Sequence, residues 1–296
     1  MPVSFLAEQI FIGVSTGAIY AIVAIGFNLV FGTMNVLNLA HGATMMVGSY
    51  GLLLVYYVGL DHFWLAALVG VALATLTGLL VERVSVRPLR GNWWNTKVAT
   101  LGCALFLENL VMVLTDGHPQ NVPRPFDPTY YAIIGDIEIS DSQVLLILIS
   151  IGVMAAMVYF LRRTVSGKAI RVLAQSPEIA RCVGINVDRV VVLGFCISGA
   201  LAGVAGILNA VTFGSTYPFV GLLLGLKGIV ILIVAGIGNM RGCLYVGMAL
   251  GIIETLTVGL GGSSYRDVVA YSAMVLILVF RPYGLFGEEG RIEREV

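Results

Sequence analysis

The chain has 296 residues, of which 58% are hydrophobic and only 11% are charged, and its mean hydropathy is +0.94. This composition excludes a soluble globular domain, and the long continuous apolar runs exclude a membrane β-barrel, whose strands alternate apolar and polar residues over about ten positions. The formal net charge of zero hides an unequal distribution of charge along the chain, so the average says nothing about partners, and we expect no nucleic acid among them. We therefore expect an all-α fold, a polytopic bundle of transmembrane helices in contact with membrane lipids.

Nine apolar segments predict membrane-spanning helices. Their approximate bounds are Gln9–Phe31, Leu39–Val58, Trp64–Val81, Val98–Leu114, Val144–Leu161, Val190–Phe213, Phe219–Ile237, Leu244–Leu260 and Val268–Phe280. No stretch between them is long enough to form a separate globular domain. The sequence therefore predicts a single transmembrane domain over residues 1–296.

Polar residues interrupt the apolar pattern between Gly32 and Gly42, where Asn35, Asn38 and His41 stand among apolar neighbours. Polar groups so close to the membrane must be satisfied by protein or by water. We favour a turn that leads into the second span. A re-entrant segment lining a cavity is the alternative, and it would reduce the count to eight spans.

Three ionisable residues lie inside predicted spans: Glu108, Lys227 and Glu254. A charge at the centre of a transmembrane helix costs roughly 2.5–3.5 kcal/mol on insertion scales, so such residues usually face a pathway or pair with each other. Lys227 could pair with Glu254 or with Glu108, or these residues could contact a solute. The further candidates for the same two roles are the polar residues Asn28, Asn38 and His41.

A polar segment over residues 162–189 separates two apolar spans and carries six basic residues against two acidic ones. Its centre predicts a very short helix. Ser176 suits the N-cap, Pro177 suits the first helical position, and Gly184 can adopt the left-handed conformation that ends a helix. A membrane span follows at once.

Charged residues complement this short helix, since Glu178 near its start and Arg181 near its end suit the helix dipole. Isolated helices shorter than roughly 12–15 residues are marginal in water, so something outside the helix must hold it. Two explanations remain open: the helix docks on a soluble partner, or it lies on lipid headgroups that attract its arginines. Beyond it, Asn186 and Asp188, which lie on either side of Val187 just before Arg189, are candidate caps for the next span.

Lysine and arginine residues are distributed unequally and orient the chain. The loop of residues 82–97, the segment of residues 162–189 and the start of the C-terminal tail at Arg281 are basic, and even numbers of predicted spans separate them. All three belong on the cytoplasmic side, which places the C-terminus in the cytoplasm and the N-terminus outside. The loop of residues 116–143, with five acidic residues and one arginine, then lies outside.

The sequence contains no recognisable catalytic or nucleotide-binding motif. Its Gly167-Lys168 pair is followed by Ala169 instead of Ser or Thr, and Arg162 stands where a P-loop has its leading glycine. Metalloprotease and nucleophile-elbow motifs are missing, and the four cysteines have no paired spacing. We expect no enzymatic activity, no cofactor and no metal, and any ATP must be hydrolysed by a partner.

Several short motifs, spread over nearly the whole chain, are similar to those of one family. They are Gly17–Ala21, Gly26–Gly32 and Asn38–Gly42 in the first part, Gly167–Arg171, Gly184–Arg189 and Ser198–Gly203 in the middle, and Gly236–Asn239 and Arg281–Gly287 at the end. With these motifs the chain resembles the permease subunits of branched-chain amino acid ABC importers, in particular the H-type subunit. The similarity is most specific in the middle motifs and weakest in the acidic loop.

This resemblance implies an importer in the inner membrane of a bacterium. Its parts would be this chain, a second related permease (with a second copy of this chain as the alternative), two cytoplasmic ATPases and a periplasmic solute-binding protein. We name residues 162–189 the coupling segment, because its second half resembles the segment that seats in the ATPase. The residues carried over to that role are Ser176, Pro177, Glu178, Arg181, Gly184, Asn186, Asp188 and Arg189.

Two alternatives to a branched-chain amino acid permease stay open. Relatives in the same family are assigned to urea or short amides, and nothing in the residues separates these solutes. An ion-coupled secondary transporter would instead use Glu108, Lys227 and Glu254 as its coupling groups.

Overall fold

The computed structural model describes residues 3–34, 37–123, 130–132 and 138–287. Helices make up most of these ranges. They are α1 (Val3–Met34), α2 (His41–Tyr57), α3 (Phe63–Val81), α4 (Trp93–Leu114), α5 (Asp141–Arg163), α6 (Val165–Gln175), α7 (Pro177–Cys182), α8 (Val187–Phe213), α9 (Val220–Ala235), α10 (Met240–Gly261) and α11 (Arg266–Phe280). Shorter elements are a π-helical turn at Glu82–Val86, 3-10 turns at Arg87–Leu89 and Ser263–Tyr265, and the strands β1 (Gln120–Asn121), β2 (Tyr130–Ala132), β3 (Glu138–Ser140) and β4 (Ser215–Thr216).

Each of the nine predicted spans coincides with one of these helices. Within the described ranges, seven helices are long and apolar enough to cross a membrane, namely α1, α3, α4, α5, α8, α10 and α11. The other two, α2 and α9, have 17 and 16 residues. At 1.5 Å per residue they reach about 24–26 Å, less than the roughly 30 Å of a bilayer core. The all-α polytopic class is confirmed, whereas the count of nine spans and the orientation of the termini stay predictions.

The chain divides into two compact units. The first comprises residues 1–24, 126–154 and 227–296, and the second comprises residues 25–125 and 155–226. Helices α1, α5 and α9 each contribute residues to both units. The prediction of a single transmembrane domain over residues 1–296 is not tested by this division and stays a prediction.

Small residues bring the helices of the second unit into close contact. A Cβ atom added at Gly48 of α2 would lie 2.6 Å from the Cα atom of Gly203 in α8, and one added at Gly51 would lie 2.9 Å from the Cα atom of Gly70 in α3. Helix backbones can approach this closely only where no side chain intervenes. The core of this unit is therefore formed by α2, α3 and α8.

In the first unit, glycines bring α10 and the beginning of α1 into similarly close contact. A Cβ atom at Gly17 would lie 2.7 Å from the Cα atom of Met248, and one at Gly247 would lie 2.9 Å from the backbone nitrogen of Ala21. The hydroxyl of Thr255 donates a hydrogen bond to the carbonyl oxygen of Gln9 at 2.9 Å. Glycines along both helices thus fix the crossing of α1 and α10.

The described part of the acidic loop of residues 116–143 contains three short strands, β1, β2 and β3. Strand β1 pairs antiparallel with β4, and β2 pairs antiparallel with β3. Residues 124–129 and 133–137, which include Asp127 and Asp136, lie outside the described residues. Asn35 and the tail after Gly287 also lie outside them.

Candidate functional site

The short helix predicted at the centre of the coupling segment is present as α7. The hydroxyl of Ser176 accepts a hydrogen bond from the N–H of Ile179 at 3.2 Å, and Pro177 occupies the first helical position. At the other end Gly184 has a positive φ of 79°, which suits glycine because it lacks a Cβ atom. The N–H of Ile185 then donates to the carbonyl of Ala180 at 2.9 Å. Both ends of α7 are therefore specified by local residues.

The outer face of α7 combines apolar and charged side chains. Ile179 and Val183 are 57% and 64% exposed, and Glu178 and Arg181 are exposed beside them. Ala180, by contrast, is fully buried and anchors the helix. A helix that buries one small residue and leaves aliphatic and charged residues uncovered has the composition of a protein-docking surface.

The helix α6, which precedes α7, was missed by sequence analysis. Thr164 caps it, because its hydroxyl accepts a hydrogen bond from the N–H of Gly167 at 3.0 Å. Gly167, Ile170 and Leu173 form its buried face, and a Cβ atom at Gly167 would lie 2.5 Å from the Cα atom of Leu161. A cap residue followed by buried residues at three-residue spacing was the signal that could have revealed α6.

The cap of α8 is Asn186, one of the two predicted candidates. Its side-chain oxygen accepts a hydrogen bond from the N–H of Arg189 at 3.1 Å. Asp188, the other candidate, lies in the first turn of α8, where its charge suits the helix dipole. All eight residues that the resemblance assigns to coupling thus belong to α7 and its N-cap, to the beginning of α8 or to the turn between the two helices, and their role stays a prediction.

Arg90 links the first basic loop to the coupling segment, a contact that the sequence did not indicate. Its guanidinium forms ion pairs with the carboxylates of Glu82 and Asp188. The Glu82 side chain is only 2% exposed, so it requires a cation beside it, whereas that of Asp188 is 64% exposed. Glu82 begins the π-helical turn that follows α3, a distortion often found at functional positions. Arg90 therefore connects the end of α3 to the start of α8.

A cluster of charged residues lies within the first unit, on α9, α10 and α11. The Nζ atom of Lys227 lies 2.6 Å from Oε1 of Glu254 and 3.0 Å from Oδ1 of Asp267. The Nε atom of Arg266 donates to Oε2 of Glu254 at 2.8 Å. We name the series Arg266, Glu254, Lys227 and Asp267 the charge chain, because each member contacts a member of opposite sign. Its net charge is zero.

The hydroxyl of Tyr20 completes the charge chain. It donates a hydrogen bond to Oε2 of Glu254 at 2.8 Å and accepts one from Nη2 of Arg266 at 2.8 Å. The structure thus brings Lys227 and Glu254 together, in agreement with the expectation that they form an ion pair. A role for either residue in the solute pathway stays a prediction. Tyr20, Arg266 and Asp267 were missed, because a tyrosine in an apolar run and two charges before a span carry no sign of a distant partner.

Glu108, the third ionisable residue predicted inside a span, lies on α4 in the second unit. It belongs to a buried stripe in which Thr96, Thr100, Ala104 and Glu108 recur every four residues, each no more than 5% exposed. Its Oε2 atom forms no hydrogen bond within the described part of the chain. Of the two ion pairs considered for Lys227, the structure shows, within the described ranges, the one with Glu254 and not the one with Glu108.

The remaining pathway candidates, Asn28, Asn38 and His41, are all buried in the second unit. Asn38 accepts a hydrogen bond from the N–H of Ala40 at 3.1 Å, in the turn that precedes α2. His41 begins α2, and its Nδ1 atom lies 3.1 Å from the hydroxyl of Ser198. These contacts support the beginning of α2, and a contact of these residues with solute stays a prediction.

Metal binding has no candidate among the described residues. No three histidine, cysteine, aspartate or glutamate side chains in these ranges are grouped so as to hold a metal ion. The cysteines of the described ranges, among them Cys182, are free thiols. The expectation that the chain needs no cofactor stays a prediction.

The helices define the class of the chain as a multi-pass α-helical membrane protein. Comparison with known proteins shows which family within this class it belongs to. The family described as "Branched-chain amino acid transport system / permease component" matches residues 9–278. The chain therefore belongs to this family, and the resemblance drawn from the sequence motifs is confirmed.

Individual relatives cover almost the entire chain. The high-affinity branched-chain amino acid transport system permease protein BraD of Pseudomonas aeruginosa is 32% identical, over 95% of each chain. The corresponding protein LivH of Escherichia coli is 31% identical, over 96% of each chain. The ribose import permease protein RbsC of Escherichia coli is 26% identical, over 94% of this chain and 86% of its own.

A solved structure shares the fold at low sequence identity. PsaBC from Streptococcus pneumoniae, in complex with a Fab, aligns with a TM-score of 0.53 and 12% identity over 90% of both chains. At this identity the similarity concerns the fold alone. The relatives are described as transport permease proteins and not as enzymes, and the chain is a permease component.

Proposed function

We propose that this chain forms the solute pathway of an ABC importer for branched-chain amino acids. Partner subunits follow from membership in a family of transport-system permease components. We propose their composition as a second related permease, two cytoplasmic ATPases that hydrolyse ATP, and a periplasmic solute-binding protein. The observation that carries the proposal is α7, a short capped helix whose exposed face has docking composition and whose neighbourhood is basic.

The proposed arrangement in the membrane has nine spans, with the N-terminus outside and the C-terminus in the cytoplasm of a bacterium, in its inner membrane. Residues 1–296 act as one permease domain. The basic loop of residues 82–97 and the coupling segment lie inside, and the acidic loop of residues 116–143 lies outside. The distribution of lysine and arginine supports this orientation.

The proposed mechanism is passive gating. When the ATPases close on ATP, they displace α7, and α7 pulls on the spans that follow and precede it. Three features support transmission: α6 is seated against Leu161 of α5 through Gly167, α7 leads into α8 through a turn of four residues, and Arg90 ties the start of α8 to Glu82. Displacement of one short helix therefore reaches three spans.

Charge and polarity substitutions on α7 test the docking step. We expect Ile179→Asp and Arg181→Glu to abolish co-purification of the ATPase and to stop uptake, because both residues lie on the exposed face. Arg171→Glu is the matched control, since Arg171 is an exposed arginine on the neighbouring helix α6. Normal uptake and normal ATPase recovery with both α7 variants would exclude α7 as the docking element.

Thiol labelling tests the orientation. Cys182, at the end of α7, is exposed, whereas Cys103 and Cys196 are half-buried and Cys243 is buried. A membrane-impermeant maleimide should therefore label intact cells weakly and inside-out vesicles strongly, and Cys182→Ser should remove the vesicle signal. Strong labelling of Cys182 in intact cells would reverse the proposed orientation.

Neither alternative function is favoured by the relatives. A urea or short-amide permease and an ion-coupled transporter both have less support than the amino acid importer, because BraD of Pseudomonas aeruginosa and LivH of Escherichia coli are described as branched-chain amino acid permease proteins. Competition for uptake among leucine, isoleucine, valine and urea in the reconstituted importer decides the solute class.

A further inference from the structure

The charge chain is open at both ends, and its ends carry opposite charges. Its order is Arg266, Glu254, Lys227 and Asp267, so the signs run plus, minus, plus and minus. The two inner members are buried, with side chains 0% and 8% exposed for Glu254 and Lys227. The outer members are accessible, with side chains 31% exposed for Arg266 and 59% exposed for Asp267.

Each end is held on its inner side and retains bonding capacity on its outer side. Arg266 uses Nε for Glu254 and Nη2 for Tyr20, and among the described residues its Nη1 makes no ion pair or hydrogen bond. Asp267 uses Oδ1 for Lys227, and within the same ranges its Oδ2 likewise has no such contact. The two ends are consecutive residues in the first turn of α11, so their Cα atoms are about 3.8 Å apart.

A ligand that bridges these ends must carry an anion beside a cation. The α-carboxylate and α-ammonium groups of an amino acid are both attached to one carbon atom, so one ligand can present both charges to two residues that are adjacent in the chain. A carboxylate can accept two parallel hydrogen bonds from a guanidinium, and an ammonium can donate to a carboxylate oxygen. The N-terminus of α11 also favours an anion beside Arg266.

We infer that Arg266 and Asp267 bind the α-carboxylate and the α-ammonium group, respectively, of a zwitterionic amino acid. This inference rests on the proposed function and names the groups of the solute that the permease recognises. A bound amino acid closes the open series of charges into a ring in which every charge has two neighbours of opposite sign. Because the buried members fix the orientation of the outer ones, the site is preorganised for a zwitterion and offers little to an uncharged amide.

Ligand analogues that lack one charge test this assignment. The importer, purified together with its partner subunits, is unfolded thermally in the presence of L-leucine, L-leucinamide or N-acetyl-L-leucine. L-leucinamide lacks the carboxylate, and N-acetyl-L-leucine lacks the ammonium. We expect L-leucine to raise the unfolding temperature at the lowest concentration, and each analogue to require a concentration higher by about tenfold or more, since each loses a charge-assisted hydrogen bond.

Two variants identify which end binds which group. Arg266→Gln should weaken the binding of L-leucine by about tenfold and leave the binding of L-leucinamide unchanged, because that analogue has no carboxylate for the guanidinium to bind. Asp267→Asn should weaken the binding of L-leucine similarly and leave the binding of N-acetyl-L-leucine unchanged. A substitution that acts only on the fold would weaken the binding of all three ligands alike. Arg241→Gln and Asp61→Asn remove exposed charges elsewhere and should behave as the wild type.

Each outcome decides the inference. If Arg266→Gln fails to fold, Arg266→Lys keeps the positive charge without the planar fork, and it should bind L-leucine more weakly than the wild type. If L-leucine protects the wild type and both variants equally, the amino acid importer stands and the site at Arg266 and Asp267 is wrong. If urea protects the wild type and L-leucine does not, the proposed solute class fails and this inference fails with it.

Discussion

Replacing Glu254 by leucine tests how strongly the charge chain stabilises the fold. Its carboxylate is fully buried and is the common partner of Lys227 at 2.6 Å and of Arg266 and Tyr20 at 2.8 Å. In the Glu254→Leu variant, Lys227 keeps only Asp267 as a counter-ion, at 3.0 Å. The substitution therefore leaves a buried ammonium with a partner that faces water.

The expected loss is large for a single substitution. Removing one partner of a buried ion pair costs about 3–5 kcal/mol, because the remaining charge is buried without full compensation. Asp267 offsets part of this cost, but its side chain is 59% exposed, so solvent screens its attraction for Lys227. We expect the free energy of unfolding to fall by about 3 kcal/mol, near the lower end of that range.

A second substitution should reverse most of this loss. Lys227→Leu combined with Glu254→Leu removes both buried charges at once, and replacement of a whole buried ion pair by apolar residues is often neutral or stabilising. Arg266 and Asp267 then remain as two partly exposed residues of opposite sign. The double variant should unfold at a temperature close to that of the wild type. Asp61→Leu, which removes an exposed carboxylate, is the control for the loss of a charge alone.

Thermal unfolding of the purified chain in detergent measures both effects. At about 2 °C per kcal/mol, the single variant should unfold about 6 °C below the wild type. The reasoning is refuted if Glu254→Leu unfolds at the wild-type temperature, or if the double variant is less stable than the single one. The first result would mean that water already solvates the cluster, and the second would mean that Lys227 has another stabilising partner.

Two further contacts give predictions of the same kind. Gly26→Val should lower the free energy of unfolding by about 1–3 kcal/mol, because a Cβ atom at this position would lie 2.5 Å from two ring atoms of His41; unfolding at the wild-type temperature would show that the ring can move aside. Arg90→Gln should reduce uptake per ATP hydrolysed and also destabilise the chain, since it leaves the buried Glu82 without its cation. Asp188→Asn should change the stability by less than about 1 kcal/mol, because that end of the contact is exposed; equal destabilisation by the two substitutions would contradict this account.

The apolar helices and the short helix could be predicted because their signals are local. Apolar runs mark the long helices, and Ser176 and Gly184 mark the ends of α7 within a stretch of nine residues. Helix α6 was missed although Thr164 caps it, because its short amphipathic pattern lies among basic residues that indicate a loop. Local signals therefore set the elements, and only a deliberate search for caps would have added α6.

The partners within the charge chain could not be predicted in full, because pairing is a property of the folded chain. The pair of Lys227 and Glu254 was one of the alternatives expected, since two opposite charges inside spans have few other partners. Tyr20 lies 234 positions from Glu254, and no periodicity links them. Arg90 is similar: it lies 98 positions from Asp188, in a loop whose composition indicated only the orientation of the chain.

The charges of this chain fall into two groups that differ in burial and in what they can do. Inside the first unit, Glu254 and Lys227 neutralise each other, so no net charge is buried there. In the coupling segment, Arg181 and Arg189 are exposed and take part in no ion pair within the described ranges. A buried neutral series leaves no buried charge uncompensated and offers only its ends to a ligand, whereas exposed unpaired charges remain available to another protein. On the proposed roles, the solute and the ATPase would contact two separate sets of charges, and substitutions in one set should leave the other contact intact.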